Sequence, residues 1–180
     1  MTKQTAGDVA AAVAGLARIL IDMIEAGNSP PGDEGEIREL AEFARLLRPL
    51  STATRLRAEG GARKPLPVCR FLAGALRGAV GGAAAPLAPP LEALLASLAW
   101  TQNPNYRRAP PADGFLDNYG WSEWIGERGA FVSDAIACGV LMLGPDIEYP
   151  AHSHEAEELY LPLAGQAWWR AAQSGWRLRP

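Results

Sequence analysis

The apolar positions of this chain change their period near its middle. From residue 5 to about 101 they recur every three or four places, the spacing of one helix face. Val9, Val13, Leu16, Leu20 and Ile24 make the first stripe. Thr5 with Asp8 predicts its N-terminal cap and Gly27 its stop. "NSPPGDEG" then interrupts the chain. Ile37, Leu40, Ala44 and Leu47 form a second stripe, closed near Pro49. A third covers about Val68 to Ala79. A fourth begins after Pro89-Pro90 and carries Leu91, Leu94, Leu95 and Leu98. "AVGGAAAPLAPP" reads as a loop between them, because its glycines lack the strand-to-helix setting of a phosphate loop.

After "TQNPNYRRAPPADG" the pattern shortens. "FVSDAIACGVLMLG", "EELYLPLAG" and "QAWWRAA" have the length and composition of short strands between Gly and Pro breaks. Trp121, Trp124, Trp168, Trp169 and Trp176 all fall in this half. A helical front and a β back predict an α+β architecture, with residues 1–110 helical and 111–180 forming a β-barrel or sandwich core.

Composition narrows the function classes. Apolar residues are 48% and charged residues 21%, a globular balance. A net charge of −3 leaves no basic footprint for nucleic acid and no attraction to anionic membrane. The first apolar run is broken by Arg18, Asp22 and Glu25, unlike a secretory core, and no run has the length of a membrane helix. Cys69 and Cys138 are too few for a disulfide framework. These features predict a soluble, cytoplasmic protein whose cysteines pack as small buried hydrophobes.

Both histidines stand in "PAHSHEAEELY", residues 150–160. On an extended segment His152 and His154 point to one face, whereas on a helix they diverge by about 200°. Pro150 and Pro162 bracket the stretch and favour the extended form. Glu158 and Tyr160, again two apart, also share a face. A turn through "EAE" would make a hairpin with all four pointing inward. Two neutral imidazoles and a carboxylate suit Fe(II), Mn(II), Ni(II), Co(II) or Zn(II). Glu155 and Glu157 face away and read as exposed charges.

The run from Gly144 through "PDIEYPA", His152, His154 and Glu158 to Gly165 resembles the first cupin motif. The fuller text "YPAHSHEAEELYLPLAGQAWW", with "DNYGWSEWIG" upstream, is similar to the bacterial cupin-type dimethylsulfoniopropionate (DMSP) lyases, in particular the DddL type. The resemblance implies a jelly-roll barrel holding a divalent transition metal. It implies His152, His154 and Glu158 as ligands and Tyr160 as the base that starts cleavage of DMSP to dimethyl sulfide and acrylate. A sulfonium cation suits aromatic faces, which points to Tyr119, Trp121, Trp124 and Trp168 as its surroundings. Alternation sends Trp168 and Trp169 to opposite faces, so one of them at most lines a cavity.

The family pattern continues into a second motif with a further histidine, and this chain has no third one. The expectation is a barrel incomplete at its C-terminal side, with weaker metal binding. Other readings stay open at this point: another cupin enzyme such as a dioxygenase or isomerase, or a non-catalytic metal- or ligand-binding module. The helical stripes leave three roles open: packing on the barrel, covering its mouth, or building a homodimer, which is common among barrels of this kind.

Overall fold

The computed structural model describes residues 6–26, 34–51, 65–79, 84–95, 99–170 and 175–179. The expected cap at Thr5, the stop at Gly27 and the stripe position Leu98 lie outside them.

Helix α1 spans Ala6–Glu25 and α2 spans Glu34–Leu47. In α1 the fully buried line is Val13, Leu16, Ala17 and Ile21, flanked by the half-buried Val9, Leu20 and Ile24. That is the i, i+3, i+4, i+8 spacing of one helix face, and it meets α2 and helix α4 (Ala88–Leu95). Ala44 and Leu47 are the buried positions of α2, while Leu91 and Leu94 are those of α4. Each fully buried leucine contributes roughly 1.5–3 kcal/mol relative to exposure.

The third stripe is not one α-helix. A 3₁₀ segment at Pro67–Phe71 leads into the short α3, Leu72–Gly78. Part of the segment expected as a loop is also helical. Ala85–Leu87 forms a 3₁₀ turn, and α4 starts at Ala88, so Pro89 and Pro90 lie inside its first turn rather than before it. The first-turn N–H groups have no partner in the helix, so proline costs nothing there. Helix α5, Pro104–Arg108, opens the same way: the Asn103 side chain accepts from Asn105 N–H at 2.9 Å, with Pro104 next to the cap.

Strand β1, Tyr119–Ile125, pairs antiparallel with β2, Cys138–Leu143. β1 is the "YGWSEWI" stretch, and β2 is only the last part of the longer run expected to be a strand. Gly120, Ser122 and Trp124 share the buried face with Val140 and Met142. Gly139 must be glycine, since a Cβ there would come within 2.4 Å of the Ser122 carbonyl oxygen. On the free edge of β1, Thr101 and Trp121 exchange both backbone hydrogen bonds, at 2.8 and 3.0 Å. Gln102, almost fully buried, donates to the carbonyls of Leu116 and Tyr119 at 2.6 and 2.8 Å. The chain just before residue 110 is thereby fastened to the start of β1. One apolar cluster runs from α1, α2 and α4 into Trp124, Ile125, Phe131, Cys138, Val140 and Met142.

A second ribbon pairs β3 (Ala167–Trp169) with β4 (Arg177–Arg179). It follows a turn at Gly165, whose φ of 81° suits glycine. "EELYLPLAG", expected as a strand, carries no ladder. Helices followed by antiparallel strands make a mixed α and β fold. Among the described residues the strands form two separate two-stranded ribbons.

Candidate metal centre

The segment from Tyr149 to Pro162 has neither helix nor strand and bends at Glu155–Ala156. Two prolines and the absence of a ladder partner keep it out of helix and sheet. The bend does the work expected of a hairpin turn. His154 Nε2 lies 2.9 Å from Glu158 Oε1, and His152 Nε2 lies 3.9 Å from Glu158 Oε2. The imidazole centroids are 5.8 Å apart. One donor atom from each of His152, His154 and Glu158 falls within 4.8 Å of the other two.

The donor set fits a divalent transition metal in chemistry as well as spacing. The Nδ1 of His152 is 2.9 Å from the Pro150 carbonyl. A carbonyl only accepts, so Nδ1 carries the proton and donates. The lone pair is then on Nε2, the atom turned toward Glu158. Such a bond to the far ring nitrogen is how a protein orients a ligating histidine. His152, His154 and Glu158 would hold the ion.

The expectation of four inward side chains needs correction. All three of the cluster's residues are exposed, and Tyr160 keeps 43% of its surface. No strand pairs with residues 150–162, so no sheet covers them among the described residues. Glu155 and Glu157 are exposed as expected. Two open hollows, one lined by Glu127, Val132, Ser133 and Asp134 and the other by residues around Gly114, include no residue of the cluster.

Tyr160 joins the cluster through its hydroxyl, which donates to Glu158 Oε2 at 2.7 Å. Burial pushes this phenol well above the usual tyrosine range. The hydrogen bond to Glu158 and the charge of that carboxylate push the same way. Without a cation, then, Tyr160 holds its proton.

The aromatic residues divide. Trp169 packs on Tyr160 with ring centroids 5.0 Å apart. Trp168, on the opposite face of β3, is 64% exposed and turned away from Tyr160. Alternation along β3 is as expected, but Trp169 rather than Trp168 meets the site. Tyr119 is buried at 1% exposure, Trp124 sits in the core, and Trp121 is half-buried on β1. Tyr119 reaches the cluster indirectly. It stacks on Phe115 at 4.9 Å and on Tyr149 at 5.6 Å, and Tyr149 meets the His152 ring edge-on at 4.9 Å. Tyr106 of α5 packs edge-on against Phe115, Tyr119 and Tyr149. Tyr106 and Tyr149 escape a reading of the sequence. Tyr149 had a signal, its place three residues before His152; Tyr106 had none, because only the fold carries α5 to this row of rings.

The chain is similar to known proteins. Residues 39–180 match the family model of dimethylsulfoniopropionate lyases. The dimethylsulfoniopropionate lyase DddQ of Ruegeria pomeroyi is 43% identical over 53 residues, which is 29% of this chain and 26% of that protein. The chain thus spans about a quarter of the length of this curated relative. A solved structure from a study of the DMSP lyases RdDddP and RnDddQII overlays with a TM-score of 0.40 at 22% identity, covering 72% of this chain and 60% of the other. With residues 39–180 matched, a range that spans the His–Glu cluster, the chain belongs to the dimethylsulfoniopropionate lyase family.

Proposed function

We propose that the protein is a metal-dependent carbon–sulfur lyase that cleaves DMSP to dimethyl sulfide and acrylate. The observation carrying this reading is the convergence of two imidazole nitrogens, one carboxylate and one phenol on a single point beside the bend at Glu155–Ala156. In this reading residues 111–180 form a cupin-type core on which the helices of residues 1–110 pack. The DddL-type wording of residues 117–169 belongs to the same proposal; the curated relative matched is a DddQ.

The residues divide the work. His152, His154 and Glu158 would hold a divalent cation, which would supply a Lewis acid for the substrate carboxylate and would offset the Glu158 charge that keeps the proton on Tyr160. As the phenolate, its own proton having gone to solvent, Tyr160 Oη would take a proton from the carbon alpha to the carboxylate. The electrons of that C–H bond form the carbon–carbon double bond. The carbon–sulfur bond breaks, and its pair leaves on sulfur as neutral dimethyl sulfide. Trp169 holds the Tyr160 ring from one side. Tyr149, wedged between Tyr119 and His152, offers an aromatic surface beside the ligands. Aromatic faces suit a sulfonium, which has charge but no N–H or O–H to donate.

The test is release of dimethyl sulfide and acrylate from DMSP by the purified chain loaded with Fe(II), Mn(II), Zn(II), Ni(II) or Co(II). Equimolar products are expected with at least one metal and none after chelation. Oxygen uptake without sulfide release would move the protein to oxygenase chemistry on the same ligands.

A further inference from the structure

His152 stands in a segment with neither helix nor strand, so no ladder or helix turn fixes its imidazole. Its hydrogen bond to the Pro150 carbonyl and its approach to Glu158 both lie within that segment and move with it. Tyr149, at the start of the segment, links it to the rest of the fold. The Tyr149 ring meets His152 edge-on at 4.9 Å and stacks on Tyr119 at 5.6 Å. Tyr106 lies against this row of rings. It meets Phe115, Tyr119 and Tyr149 edge-on, with centroids 5.3, 5.5 and 6.2 Å away.

Tyr106 is itself well held. It is the central residue of α5, which Asn103 caps through the Asn105 N–H. Just upstream, Gln102 donates to the carbonyls of Leu116 and Tyr119, and Thr101 exchanges two backbone hydrogen bonds with Trp121. These bonds fix α5 to the first residues of β1, the strand that Tyr119 opens. In an edge-on contact the positive rim of one ring meets the negative face of the other, so angle matters as well as distance. With Tyr119 stacked on it and Tyr106 edge-on, the Tyr149 ring satisfies both only in a narrow range of orientations. The His152 imidazole, edge-on to Tyr149 and hydrogen-bonded through Nδ1, is then held with Nε2 toward Glu158.

We infer that Tyr106 is a positioning residue for the metal centre: by holding the Tyr149 ring, it fixes the plane of the His152 imidazole. The inference rests on the metal-dependent reading above. It gives the helical front of the chain a part in the site, since α5 reaches the ligands through a single intervening ring. Tyr106 touches neither ligand nor ion, and its effect passes through Tyr149 to His152.

The experiment uses Co(II) as the probe on the full chain, read by calorimetry and by its visible absorption, in wild type, Tyr106→Leu and Tyr106→Phe. Tyr106→Leu should weaken Co(II) binding about three- to tenfold, the worth of one or two aromatic contacts, and change the shape of the Co(II) band. Tyr106→Phe keeps the ring and should stay within about twofold of wild type, with the wild-type band. Ile21→Val, a truncation on the buried face of α1, controls for a general loss of stability and should leave both readouts unchanged. In a His152→Asn background, Tyr106→Leu should add less than about twofold, because the ring it positions is gone. Unchanged Co(II) affinity and band in Tyr106→Leu overturn the inference. So does an equal loss in Ile21→Val, or a full-sized loss in the His152→Asn background. Co(II) binding that depends on Tyr106, without release of dimethyl sulfide from DMSP under any metal, would instead sink the lyase reading and keep the positioning role. No Co(II) binding by wild type would overturn both.

Discussion

The hydroxyl of Tyr160 donates to the carboxylate of Glu158 at 2.7 Å, two residues away in a segment with neither helix nor strand. The proposed base is therefore hydrogen-bonded to a proposed ligand. Anything that changes the charge on Glu158 changes how firmly Tyr160 keeps its proton.

Removing the phenol should separate binding from chemistry. Tyr160→Phe keeps the ring against Trp169 and deletes the oxygen. It should retain metal within twofold of wild type and lose at least about a hundredfold in kcat, the usual range for a general base. Metal analysis with a headspace assay for dimethyl sulfide checks both. Loss of metal and activity together would make Tyr160 a ligand first.

His154 and His152 should differ. His154 Nε2 is the nitrogen nearer Glu158, and His152 is braced by Pro150. His154→Ala should lose bound metal and activity together. His152→Asn offers a shorter side chain with no imidazole nitrogen at the Nε2 position, and should also bind metal more weakly. Metal titration by calorimetry should show at least about a tenfold loss of affinity for each.

Alkaline pH should loosen the core through Cys138. Burial at the Ile125 end of the β1–β2 ribbon pushes its thiol from the ordinary 9.0 up to about 12. The folded chain keeps this thiol neutral when the unfolded chain would ionise it. Its contribution to stability is whole below pH 9 and drains away as pH rises from there toward 12. Urea melts from pH 7 to 10.5 should show falling stability, with a shallower fall in Cys138→Ala. Tyr119 is raised too, chiefly by burial, and leaves a residual slope of the same sign.

Two glycines should respond in opposite directions. Gly139→Ala drives a Cβ into the Ser122 carbonyl of the neighbouring strand and should cost about 1–3 kcal/mol. Gly15, in the middle of α1, has open space around its Cα. Gly15→Ala should stabilise by roughly 0.5–1 kcal/mol, because alanine loses less backbone entropy in a helix. Thermal denaturation of the two variants checks the pair.

The sequence by itself determined the elements whose signal is local. Val13, Leu16, Leu91 and Leu94 recur at helix spacing and are buried on helices. The i, i+2 rule, with prolines on both sides, pointed to His152, His154, Glu158 and Tyr160 as one group, and their donor atoms do lie close together. Tertiary structure decided whatever depended on partners distant in the chain. Whether "EELYLPLAG" pairs into a sheet depends on a neighbouring strand, and without one the segment stays unladdered and the cluster exposed. Which tryptophan faces Tyr160 depends on the register of β3 against β4, since a shift of one residue exchanges Trp168 for Trp169. Tyr106 meets Tyr149 across more than forty residues of chain. Periodicity records which face of an element is apolar; it does not record what that face meets.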